Sequence, residues 1–179
     1  ASDLRQPFLD YASSRYEQGT IRFVCGNAME TDFKASFDLI FANQILEHLV
    51  QPVEFVSHLA DYLRPGGTLV LSTPNFEYFR NSLPSFKALW DPMQYAARQF
   101  TADGDGHFFA YSPEELIEVG QQAGLRNLSV TPFESPLICG HLMLRYLHRW
   151  LPARFMNSLD ALLLAIPGLR TRLSFQLLF

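Results

Sequence analysis

The sequence predicts an α/β fold on a mostly parallel sheet, and three observations point to it. Phe37 to Asn75 reads as one strand, helix, strand unit; a similar rhythm precedes it; and polar residues gather where the unit's strands end. The apolar run Leu39 to Ala42 has no helical period and stops at Asn43 and Gln44, as a strand buried on both faces does on reaching a sheet edge. Val53, Val56, Leu59, Ala60 and Leu63 recur at three and four residues, which marks a helix with one buried face. Pro65-Gly66-Gly67 is expected to stop that helix, and Thr68 to Ser72 to form the second buried strand. Strands joined in this way are parallel with a right-handed crossover. Asn43 to His48 and Thr73 to Asn75 should therefore lie side by side in the crevice beyond the strand ends, where ligands bind in open parallel sheets.

The other elements follow in order. Phe8, Leu9, Tyr11, Ala12 and Tyr16 fit a helix from Gln6 to Gln18, ended by Gly19, and Ile21 to Cys25 reads as a strand leading into Gly26-Asn27-Ala28. Phe76 to Tyr111 is aromatic and broken by Pro84, Pro92 and Asp103-Gly104-Asp105-Gly106, so it is expected to be an excursion over a site and not a core element. Residues 74–111 are read as a lid or substrate loop. Ser112-Pro113-Glu114-Glu115 carries the capping-box pattern and should start a helix reaching Ala123. A strand from Leu125 to Pro132, helical segments Ile138 to Leu151 and Arg154 to Ile166, and a strand from Leu173 to Phe179 complete the reading.

Bulk properties exclude several classes. A chain of 179 residues, 48% hydrophobic, fits a single domain, 1–179. A net charge of −4 argues against a broad polyanion-binding surface, so nucleic acid is not an expected partner. The cysteines, Cys25 and Cys139, have no metal-ligand spacing and are expected to be small buried residues, as suits a reducing cytoplasm. The most apolar run, Leu162 to Leu169, is broken by Pro167-Gly168, so no membrane span is expected.

FDLIFANQILEHL, LRPGGTLVLSTPN and GNAME together resemble the fourth-strand, fifth-strand and third-strand-loop motifs of class I S-adenosylmethionine-dependent methyltransferases. The resemblance covers roughly Ala1 to Leu128 and is nearest the branch of ubiquinone-pathway O-methyltransferases and surface-glycan enzymes. It implies a Rossmann-like sheet with an antiparallel last strand, helices on both faces, and a helical insertion over 137–170 before that strand. It implies S-adenosyl-L-methionine as cofactor. Asp3 would accept hydrogen bonds from the ribose hydroxyls, and Leu4 would lie against the adenine. Asn27 stands where the family usually has Asp and would meet the adenine amino group, with the Ala28 or Met29 N–H on a ring nitrogen. Asn43 and Gln44 match positions near the methionine part. The family's first strand and glycine-rich turn have no counterpart after Ala1. The resemblance therefore implies an N-terminally truncated domain whose 179 residues bind the cofactor poorly.

Methyl transfer is an in-line displacement that needs a base only if the acceptor loses a proton. His48, at the hinge, is the candidate catalytic residue; its alternative role is a backbone-bonding helix-start histidine. Some ubiquinone-branch relatives bind a divalent metal through Glu-x-x-Glu-His, matched here by Gln44, Glu47 and His48 with the first carboxylate replaced by an amide, so no metal site is expected. Glu47 is read as a carboxylate at a helix N-terminus. His107, next to Phe108 and Phe109 after the Asp-Gly turn, is read as a loop histidine, with contact to substrate as its alternative, and His58 as solvent-facing. Phe76, Tyr78, Phe79, Phe86, Trp90, Tyr95 and Phe100 either line an acceptor pocket or pack a lid onto the core.

Leu137 to Phe179 holds five arginines, Arg145, Arg149, Arg154, Arg170 and Arg172, against one acid, Asp160. That pattern fits either peripheral contact with anionic lipid or a helical insertion with snorkelling arginines. The expected activity is methylation, on oxygen, of a small, glycan or lipid-linked acceptor. The alternative is a non-catalytic interaction or regulatory domain with the same fold, and a nicotinamide-dependent dehydrogenase is disfavoured because no Tyr-x-x-x-Lys pair or dinucleotide turn is visible.

Overall fold

The computed structural model describes all residues except 34–35, 101–105, 138–149 and 167. Strands β1 (Ser2–Asp3) and β2 (Val24–Cys25) pair in parallel, with helix α1 (Gln6–Arg15) between them in sequence. A second sheet has the order β3-β4-β6-β5, from β3 (Phe37–Asn43), β4 (Leu63–Pro74), β5 (Thr131–Phe133) and β6 (Gln176–Leu178). Helix α2 (Pro52–Asp61) crosses between the parallel β3 and β4, whereas β6 runs antiparallel to both β4 and β5. The expected α/β architecture with an antiparallel last strand is therefore present.

The core forms where α2 and α3 (Pro113–Gln122) meet the sheet: Phe55, Val56 and Leu59 from α2, Leu116 and Val119 from α3, and Leu71 and Leu177 from the strands are all buried. Gly120 sits at the closest approach of α3 to the C-terminal strand. A Cβ there would collide with the Phe179 ring and come within 3.1 Å of Leu128.

Several boundaries moved, each for a local reason. Helix α2 ends at Asp61, before Pro65, and Leu63 already belongs to β4. The register steps from Phe37↔Leu63 to Leu39↔Thr68, so Arg64 to Gly67 bulges out of the ladder, and Gly66 (φ 81°) takes the left-handed turn of that bulge. Strand β3 is buried on one face only: Leu39 and Phe41 are 59% and 60% exposed, because nothing among the described residues packs over their face of this edge strand. The strand expected over Leu125 to Pro132 is reduced to β5 at its end, the one expected over Ile21 to Cys25 to β2, and Leu173 closes a helical turn, Arg170–Leu173 (α5), so that the last strand is shortened to β6. Cys25 is exposed, its thiol 3.6 Å from the Leu4 carbonyl; Cys139 and the segment Ile138 to Arg149 lie outside the described residues.

The excursion after β4 is tied down at both ends. Asn75 Nδ2 donates to the Thr171 and Ser174 carbonyls at 2.6 and 2.8 Å. The capping box of α3 forms as expected, with Ser112 N–H donating to Glu115 Oε2 at 2.7 Å; Glu115 Oε1 also accepts from the Lys87 N–H at 2.9 Å and from the Ser85 hydroxyl, so one carboxylate both caps the helix and holds the excursion. Its return limb is core after all: Phe109, Ala110 and Tyr111 are fully buried. A fourth helix, α4 (Ala153–Leu164), precedes α5.

Candidate functional site

A cavity of about 720 Å³ opens beyond the carboxyl ends of β1, β2 and β3. Ser2 to Arg5 and Gly26 to Ala28 form one wall, Asn43 to Ile45 with His48 and Leu49 the opposite one, and Arg98, Phe100, Gly106 and His107 arrive from the excursion. Of the cofactor residues expected from sequence, Asp3, Leu4, Asn27, Ala28, Asn43 and Gln44 line it, as does His48; Met29 does not. The two walls are joined through α2. His58 Nε2 lies 3.1 Å from the Ala28 carbonyl and the Tyr62 hydroxyl donates to the Thr31 carbonyl at 3.3 Å, so His58 faces the loop after β2 and is not the solvent-facing residue expected.

Within the first wall, Asp3 Oδ1 accepts from the Arg5 N–H at 2.8 Å. Asn27 closes its own loop: its Oδ1 accepts from the Met29 N–H at 3.0 Å and its Nδ2 donates to Glu30 at 3.1 Å. The opposite wall depends on the β3–β4 register. Asn43 stands beside Ser72, whose hydroxyl donates to Asn43 Oδ1, and Gln44 N–H donates to the Ser72 carbonyl at 2.9 Å. That last bond continues the ladder by one residue while Gln44 adopts φ 53°, a left-handed conformation uncommon for a side chain of this size. The chain thereby turns sharply into a 3-10 turn, Leu46–His48, that carries the chemistry.

Glu47 and His48 point into different environments. Glu47 is fully buried, accepts from the Thr73 hydroxyl at 3.2 Å, and has its carboxyl pushed up to about 8 by desolvation. It stands in the first turn of a short helix as the sequence implies, but burial and not the helix dipole governs its charge. With the Gln44 amide turned to pair donors with acceptors, its nitrogen donates to Glu47 Oε1 at 3.0 Å and its oxygen accepts from the Thr73 N–H at 3.3 Å. His48 Nδ1 lies 3.0 Å from the Gly106 carbonyl, which can only accept, so Nδ1 carries a proton and the neutral tautomer this selects has its lone pair on Nε2. The His107 ring stands edge-on to His48 at 5.0 Å, and its Nε2 is 3.7 Å from Glu47 Oε1. Partial burial holds the His107 pKa below the usual histidine range.

Two imidazoles, that of His107 with a lowered pKa, thus stand beside a carboxyl that burial keeps protonated at neutral pH, an arrangement suited to taking up a proton. Glu47, His48 and His107 also offer one ligand atom each within 4.8 Å of one another, which is a geometry compatible with a divalent cation. His107 lines the cavity, where the alternative of substrate contact places it, whereas the burial of Glu47 is not foreshadowed in the sequence. The local signal for His107 is the run Gly106-His107-Phe108-Phe109, whose two aromatics the fold buries completely or nearly so. Of the seven aromatics assigned to an acceptor pocket or lid, Phe100 alone lines the cavity; Tyr95 stacks on Phe108 at 4.8 Å, Tyr78 is buried, and Trp90 is fully exposed.

The residues fit S-adenosylmethionine in kind: a carboxylate and amides for hydroxyl and amino groups, apolar Leu4, Phe41 and Ile45 for flat or aliphatic surface, and a cavity in the usual size range for a cofactor site. Comparison with known proteins agrees. Residues 8–130 match the methyltransferase domain family. The chain is 30% identical over 135 residues to a ubiquinone biosynthesis O-methyltransferase of Coxiella burnetii, an alignment covering 72% of this chain and 54% of that protein. The chain spans about half the length of the curated relatives it matches first. A SAM-dependent methyltransferase from Archaeoglobus fulgidus superposes with a TM-score of 0.56 at 15% identity, over 99% of this chain and 72% of that one. Another from Mesorhizobium loti gives 0.55 at 14%, over 99% and 76%; at these identities the likeness speaks for the fold. The family match, together with a cavity walled by Asp3, Asn27, Asn43 and Gln44, places this chain among the class I S-adenosylmethionine-dependent methyltransferases.

Proposed function

We propose that the protein transfers a methyl group from S-adenosylmethionine to an oxygen of a small, glycan or lipid-linked acceptor. The observation that carries this reading is the His48–His107 pair at the cavity wall, with rings 5.0 Å apart, next to the Asn43 and Gln44 positions. The cofactor supplies an electrophilic methyl group on a sulfonium. Asp3 would hold the ribose hydroxyls, Leu4 the adenine face, and Asn27 with Ala28 the adenine edge. Asn43 and Gln44 would meet the methionine end.

The acceptor hydroxyl would lose its proton to an imidazole. His48 is oriented for this by the Gly106 carbonyl, which fixes the lone pair on Nε2. His107, its pKa lowered by burial, is a neutral second acceptor at physiological pH. The buried Glu47 carboxyl beside it adds no negative charge while protonated, and stabilises an imidazolium once ionised. The name of the Coxiella burnetii relative, an O-methyltransferase, supports oxygen as the methylated atom.

The test is a methyl-transfer assay on the protein as its reading frame encodes it, with radiolabelled S-adenosylmethionine and phenolic, glycan and lipid-linked acceptors. Transfer to a hydroxyl that rises with pH through the histidine range is the expected result. Transfer to nitrogen acceptors only would overturn the oxygen assignment, and no transfer to any acceptor would overturn the reading.

A further inference from the structure

We propose that the corner formed by α4 and α5 is a docking surface for an anionic lipid bilayer. Phe155, Leu162 and Ile166 follow one another at spacings of seven and four residues, so they share one stripe of α4 and the turn after it. All three are exposed, by 52%, 65% and 37%. The opposite side of the helix faces the protein: Met156 is buried, and Asp160 accepts from the Ser135 N–H at 2.7 Å. Leu169 and Trp150, 45% and 82% exposed, extend the apolar stripe at its two ends. A tryptophan at the margin of an apolar face is the residue that bilayer interfaces favour.

Charge decides the occupant. Arg154, Arg170 and Arg172 are exposed beside the stripe, and among the described residues none has an acidic partner. The acid of this segment, Asp160, is turned inward next to Glu134, whose carboxyl its charge raises further after burial has done so. A second copy of the chain packed isologously on this face would bring arginines toward arginines, whereas an anionic bilayer takes the apolar stripe into its boundary and pairs every arginine with lipid phosphate. Because the whole chain carries −4, attraction must be local and therefore sensitive to salt. This surface stands independently of the methyl-transfer reading.

Vesicle flotation tests it with the full chain, using phosphatidylcholine vesicles with and without about one third phosphatidylglycerol. Flotation is expected with the anionic vesicles alone and lost at high salt, and glycerol phosphate in solution should not release the protein. Arg170→Gln and Arg172→Gln should each weaken partitioning about fivefold. Phe155→Ser with Leu162→Ser should abolish it while leaving the melting curve by circular dichroism unchanged. No flotation, flotation indifferent to lipid charge, or flotation unchanged in both sets of variants would overturn the proposal. So would a dimer in light scattering that Leu162→Ser dissolves, since the stripe would then be covered by a second copy.

Discussion

His107 Nε2 stands 3.7 Å from Glu47 Oε1, although one residue belongs to the turn after β3 and the other to the return limb of the excursion. The contact exists because Phe108 N–H donates to the Glu47 carbonyl at 2.9 Å and Phe108 and Phe109 are anchored in the core, which leaves His107 no other place to stand. Nothing local to either residue encodes the pairing.

If the two imidazoles share the proton-accepting role, removing either should affect turnover more than binding. His48→Ala is expected to lower kcat by about a hundredfold or more with little change in cofactor affinity, and His107→Ala by a smaller factor. Steady-state kinetics with equilibrium binding on the same variants checks this. Equal losses in kcat and affinity would assign His48 to a structural role.

Glu47 should leave its mark on stability against pH. Its folded-state pKa, about 8, lies above the ordinary 4.5, so the folded protein binds the extra proton between those values. The contribution is fully present below about pH 4.5 and is lost as pH rises through about 8. Glu47→Gln keeps an acceptor for Thr73 and removes the titration. Urea melts across this range should show the variant gaining on the parent as pH rises, by an amount on the order of 5 kcal/mol at pH 9, with the difference vanishing near pH 4.

Gly120 should be intolerant of any side chain. Gly120→Ala gains helix propensity of about 1 kcal/mol, but its Cβ would collide with Phe179 and press on Leu128, and overpacking of this kind costs about 1 to 3 kcal/mol. A net loss of stability in thermal melts is expected. Restoration by Phe179→Leu in the same background would assign the loss to that contact.

Cofactor affinity of the 179-residue chain should be low. Asp3 and Asn27 sit on and after the β1–β2 pair, Asn43 and Gln44 at the end of β3, and the two sheets share no ladder among the described residues. Walls linked mainly through α2 leave part of the ordering to be done on binding. Calorimetry should give a dissociation constant weaker than about 0.1 mM; low micromolar binding would show that the walls are already set.

The sequence by itself determined the β3–α2–β4 unit, the capping box at Ser112 and Glu115 and the family, because each is written in local periodicity or in contiguous motifs, and the antiparallel last strand followed from the family resemblance. It also located the crevice: strand ends fixed where Asn43, Gln44 and His48 would gather, and Asp3 and Asn27 lie across the cavity from them. What it misjudged were environments. Leu39 and Phe41 have the composition of a two-sided buried strand, yet burial depends on which neighbours flank the sheet edge. Glu47 has the sequence position of a helix-start anion, but the fold buries it, and desolvation raises its pKa against the opposing hydrogen bond from Thr73. His107 was decided by tertiary structure alone. The core claims Phe108 and Phe109 by hydrophobic burial, and that long-range packing carries the histidine beside them to the carboxyl it faces.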